Sequence, residues 1–262
     1  GRDALRTRTG KTPLFMTGAA GAFLLLALQL FAGTFALMCS TMIVYKSVGR
    51  GHYRALVWVL GPLIVAVGFL LPKPLNLAAL ATGVLVAVFL GAVYSQRPLL
   101  EWITGGLAAA AAVFVLILPS LSSCASECVA RSIQAIAGGF FLGAVTHGMV
   151  LGHWYLNQPR LPIEPLKAQV RLIIVSLAVS IAAVLITFPT LLRGEVKGVV
   201  LPISSSGYLW GWGLLVATVA VLSLMIRSTV ASRSTQSATG LMYVAMVPAL
   251  GAQFLVNLLL FS

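Results

Sequence analysis

Apolar residues run along this chain in long unbroken stretches, and polar or charged residues are confined to the gaps between them. A hydrocarbon core of about 30 Å needs roughly 20 apolar residues in a helix, and no unpaired backbone amide is tolerated there. The stretches meet that length and lack the alternation of a membrane barrel. The pattern therefore predicts an all-α, polytopic transmembrane helix bundle with about eight spans. They read as Phe15 to Val44, Ala55 to Leu71, Leu75 to Tyr94, Leu99 to Leu118, Ala130 to Leu156, Val170 to Leu192, Gly207 to Ile226 and Thr239 to Phe261. Proline and serine punctuate the breaks: Pro72, Pro74, Pro98, Pro119, Pro159, and Pro202 before Ser204, Ser205 and Ser206. The loops are too short for a separate soluble domain. Residues 1–13 form a short basic tail, and residues 14–262 form one integral membrane domain. The first apolar stretch is longer than the core of a secretory signal and reads as an ordinary span.

Composition agrees with lipid as the solvent: 60% of residues are hydrophobic and only 8% are charged, too few to cover a water-soluble fold. Charge then bears on orientation. Loops after the first, third, fifth and seventh spans hold nine cations: Lys46, Arg50, Arg54, Arg97, Arg160, Lys167, Arg171, Arg227 and Arg233. The intervening loops hold four, Lys73, Arg131, Arg193 and Lys197, and the tail adds Arg2, Arg6, Arg8 and Lys11. The loop count places the nine-cation face in the cytoplasm and both termini outside. On the outer side, Cys124 and Cys128 are close enough in sequence to form a disulfide, or are simply two small loop residues. The net charge of +12 is spread over span ends as topology and headgroup anchors, with no basic stripe or aromatic motif for nucleic acid.

Candidate chemistry is sparse. Of five acids only Glu101, at the start of the fourth span, falls near membrane depth, where a carboxylate favours the helix dipole. The fifth span carries Gly139 and Gly143, then Gly148 and Gly152, in the small-xxx-small spacing that admits a neighbouring helix. The same helix holds His147 and His153, two of only three histidines. Six residues apart, they face different directions and cannot clamp one iron. His147 is the deeper and reads as a neutral imidazole bonded to a neighbouring helix.

His52 and His153 share a membrane face by alternation of the spans. They are candidate axial ligands to one haem b, or one of them hydrogen-bonds a quinone carbonyl. His147, Trp154, Tyr155 and Arg160 complete the candidate cofactor-contacting set, beside Arg50, Tyr53 and Arg54 near His52. Pro159, Pro162 and Pro165 predict an extended polyproline segment, either a stiff connector or a docking strap for a partner. Gln29, Gln134, Gln253 and Asn257 read as interhelical hydrogen-bond groups, and Pro62, Pro189 and Pro248 as kinks.

No Walker loop, HExxH, GxSxG or CxxCH motif is present. The expected role is an integral membrane subunit of a respiratory or other electron-transfer complex, offering a quinone or haem b environment and docking other subunits. It would sit in a bacterial cytoplasmic membrane or an equivalent energy-transducing one. A small-solute permease and a purely structural assembly subunit are the alternatives.

Overall fold

The computed structural model describes residues 18–122, 128–158, 160–188 and 205–260. These form eight helices: α1 (Gly18–Val44), α2 (Arg50–Leu70), α3 (Leu75–Ser95), α4 (Pro98–Ser122), α5 (Cys128–Asn157), α6 (Glu164–Thr187), α7 (Ser205–Ala231) and α8 (Thr235–Leu260). All eight are long and apolar enough to cross a membrane, and the chain is an integral membrane protein.

The helices outrun the apolar stretches mostly at their charged ends. Arg50, His52 and Arg54 belong to the first turns of α2, Lys167 to the first turn of α6, and Arg227 to the last turns of α7. Hydropathy marks the hydrocarbon, whereas the helical hydrogen-bond ladder continues into the headgroups, where long cationic side chains reach water. Helix α4 also passes Pro119 by one turn. The polyproline strap does not form: Pro165 occupies the first turn of α6, where its missing N–H is no loss. Residues 161–163 make a bend instead, with Ile163, Pro165 and Leu166 buried. The Tyr155 hydroxyl ties it down by donating to the Pro162 carbonyl.

Helix α5 lies at the centre, packed against α1, α4, α6 and α8, while α2, α3 and α4 flank α1 on one side and α7 lies against α6 and α8 on the other. Lipid tails are as apolar as leucine, so close packing and interhelical hydrogen bonds hold the helices together. The closest approach is between α1 and α5. A Cβ on Gly33 would lie 1.7 Å from the Gly139 carbonyl oxygen, and one on Gly143 would lie 2.2 Å from the Gly33 carbonyl carbon. Gly139 and Gly143 therefore face α1. Five residues on, about 140° around the helix, Gly148 meets Ile173 of α6 and Gly152 meets Thr239 of α8. One helix thus offers backbone to neighbours on two sides.

A buried amide network closes the half of the bundle away from the histidines. Asn257 Nδ2 donates to Gln29 Oε1 at 2.8 Å and to the Ala22 carbonyl at 3.3 Å. Gln29 Nε2 donates to the Ala135 carbonyl at 3.4 Å, and Gln253 Nε2 to Asn257 Oδ1 at 3.1 Å. The network joins α1, α5 and α8, and it holds the start of α1 level with the end of α8. Cys128 is disulfide-bonded, whereas Cys124 and Pro189 lie outside the described residues.

Gly143→Leu must drive a side chain through the α1 backbone. It should destabilise the fold by about 3 kcal/mol or more. Gly91→Ala, at a position with no atom within 4 Å of an added Cβ, should leave the thermal midpoint in detergent unchanged. A Gly143→Leu protein melting with the wild type would refute the close α1–α5 contact.

Candidate functional site

The expected partner of His52 is not the one it has. His153 is exposed on the outer side of α5, while His52 and His147 are fully buried and meet Nε2 to Nε2 at 3.4 Å. The spacing along α5 accounts for this correction: His147 and His153 point about 240° apart, so only one of them can face α2. His52, in the first turn of α2, reaches down to the deeper of the two. Haem ligation by His52 and His153 therefore has no geometric basis. Nor do His52 and His147 clasp a haem, because opposed axial nitrogens would stand about 4 Å apart with a macrocycle between their rings. Among the described residues, no three His, Cys, Asp or Glu side chains converge as a metal site would require.

The pair continues into a chain. His147 Nδ1 lies 3.0 Å from Gln169 Oε1, and Gln169 Nε2 donates to the Ala144 carbonyl at 2.7 Å. That last bond orients the carboxamide, so the oxygen faces His147. Nδ1 of His147 must then carry a proton, leaving Nε2 of the neutral ring as an acceptor. It follows that His52 donates through Nε2–H and that His52 Nδ1 is an open acceptor. His147 lies ten residues before the end of α5, about 15 Å along the axis. The chain climbs from there to the cation-rich face.

An aromatic wall surrounds its upper end. The His52 ring centroid is 5.5 Å from that of Tyr53 and 5.8 Å from that of Trp154. Trp154 is held by a flat approach to α2: a Cβ on Gly51 would lie 2.6 Å from its ring, so the glycine admits the indole. Four buried polar atoms of this region have no hydrogen-bond partner among the described residues, the Tyr53 hydroxyl and Arg54 Nε among them, and two of the four are complementary and belong to adjoining rings. His52 Nδ1 and the Trp154 Nε1–H are both buried and have no hydrogen-bond partner among the described residues. An orphaned acceptor and an orphaned donor in neighbouring rings fit a hydroxyl, which gives a hydrogen bond to one and takes one from the other.

Other predicted residues have different tasks. Tyr155 fixes the α5–α6 bend, and Arg160 is exposed. Arg50 pairs through Nε with Glu101 Oε1 at 2.7 Å, so Glu101 closes an ion pair to α2 as well as starting α4. Arg54 stacks 4.2 Å from the Tyr94 ring centroid and donates to the Val93 carbonyl. Both arginines hold the head of α2 against α3 and α4, which sets the height of His52. Gln169 was the member missed from sequence. It lies in the first turns of α6, among residues that hydropathy places in a loop.

The deduced tautomers are open to nitrogen NMR on histidine-labelled protein in detergent. His147 should show Nδ1–H and His52 Nε2–H, and Gln169→Leu, which strands a buried donor, should lower stability by about 1–3 kcal/mol. The opposite tautomers would overturn the chain as drawn.

The chain matches no protein-family model, no curated protein and no solved structure.

Proposed function

We propose that this protein is a membrane subunit of an electron-transfer assembly, that it contacts a quinone, and that His52 and His147 hold the proton of the bound hydroxyl form. The observation that carries the reading is the complementary pair of orphaned atoms, His52 Nδ1 and Trp154 Nε1–H, at the interfacial end of a buried imidazole chain. A quinol hydroxyl supplies one donor and one acceptor, and its ring and tail suit an aromatic wall at membrane depth.

The chain's part in the chemistry follows from its tautomers. His52 Nδ1 accepts the hydroxyl proton, and His52 gives up its Nε2–H to His147 Nε2. Positive charge then rests on His147, whose Nδ1–H stays on Gln169 Oε1. Two protons have each moved one step, so that one positive charge has passed to His147, opposite the anionic oxygen left behind. A cation alone at this depth is costly, so the proton is held only while that oxygen carries its negative charge. Electrons leave to a redox centre on another subunit, and the energy-transducing membrane, such as the bacterial cytoplasmic membrane, is the setting the reading requires. Haem b is not part of it.

The test is the quinone content of protein purified gently from its native membrane, extracted into solvent and quantified by chromatography. Wild type and His153→Ala should retain quinone alike. His52→Leu and Trp154→Phe should each retain about tenfold less, the loss expected when one buried hydrogen-bond partner is removed. Equal retention by His52→Leu, or no quinone with the wild type, would sink the proposal.

A further inference from the structure

A second site is carried by different residues. Between the first turns of α6 and the last turns of α7 lies a cavity of about 290 Å³, lined by Lys167, Val170, Arg171, Arg227, Val230 and Ala231. Its volume is near the lower end for ligand sites. Val170 and Val230 are buried and form an apolar floor, while the three cations are exposed around it.

None of these cations has an acidic partner among the described residues, where the one ion pair joins Arg50 to Glu101. Glu164, one turn before Lys167 on α6, forms no ion pair with it. Three like charges around one mouth repel each other, and an anion seated among them relieves that repulsion. Helix α6 begins here and α7 ends here, so their opposed dipole ends offset and the attraction for an anion rests on the three side chains.

The surroundings say which kind of anion. Val175 and Val179 follow Arg171 at four-residue steps on α6, and both are exposed. On α7, Leu224 and Ala220 lie three and seven residues before Arg227, on the same stripe of the helix. Apolar side chains thus continue along both helices from the cationic mouth toward the middle of the bilayer, a track along which acyl chains can lie. A free phosphate would leave that track unused, whereas a lipid fills both parts. The mouth opens on the nine-cation face, where anionic lipids concentrate if that face is cytoplasmic. We infer that the α6–α7 cavity is a binding site for an anionic glycerophospholipid, with its phosphate on Lys167, Arg171 and Arg227 and its acyl chains along the track.

The test is native mass spectrometry of the full chain released from detergent, titrated separately with phosphatidylglycerol, phosphatidylcholine and inorganic phosphate. Wild type should bind phosphatidylglycerol in preference to phosphatidylcholine and should not retain inorganic phosphate. Arg227→Gln and Arg171→Gln should each weaken phosphatidylglycerol binding about fivefold, and the Lys167→Gln, Arg171→Gln, Arg227→Gln triple variant by more than tenfold. Arg233→Gln, on the same face outside the cavity, should bind as the wild type does. Each single variant carries the test if the triple variant does not fold. Unchanged binding by both single variants, equal loss in Arg233→Gln, or equal retention of phosphatidylcholine would overturn the lipid site. Retention of inorganic phosphate at the same concentration would replace it with a free-anion site.

Discussion

The whole arrangement depends on backbone touching backbone where α1 crosses α5. In a solvent as apolar as the side chains themselves, helices gain little from burying leucine, and association rests on how closely they can approach. Gly33 against Gly139 and Gly143 gives that approach, and the second pair, Gly148 and Gly152, turns the same helix toward α6 and α8. With α5 seated on two sides, His147 is fixed in depth and direction. Gln169 can reach it from α6 and His52 from α2. A shift of α5 by one side-chain radius would separate all three.

Much of this architecture was legible because length and hydropathy are strong signals in lipid. The eight spans, the glycine spacing on α5 and the interhelical bonds of Gln29 and Asn257 can be read from residue type and interval alone, whereas Gln253 bonds within α8 and buried Gln134 has no hydrogen-bond partner among the described residues. What the spans did not disclose was where helices end. Arg50, Lys167 and Arg227 lie beyond the apolar stretches yet inside the helices, because the ladder continues into water-accessible headgroups while the side chains extend outward. That displacement hid Gln169, which seemed to lie in a loop and instead completes the buried chain. It also turned a supposed proline strap into a bend and the first turn of α6.

The histidines show a second limit. Alternation of the spans correctly brings His52 and the end of α5 to one face, yet says nothing about which side of α5 meets α2. Helical angle separates His147 from His153, but only packing decides between them. Gly51 and Trp154 are that decision: the indole lies over the glycine, so the face of α5 carrying His147 is turned toward α2 and His153 is left outside.

The end of the chain at Gln169 then constrains what it can do. A transmembrane proton wire needs groups that accept and release protons in succession, and a carboxamide accepts a hydrogen bond without taking the proton. On the proposed reading, His52 and His147 are consequently a store for one proton, closed at the inner end by Gln169. A closed store is useful where charge must be held briefly beside a reacting group, and it leaks nothing across the bilayer. The amide network of Gln29, Gln253 and Asn257 in the opposite half is likewise free of ionisable groups. Helix α5 therefore carries imidazole in one half, while its packed core in the other meets only neutral amides, and on the proposed reading proton exchange is confined to the half that contains imidazole.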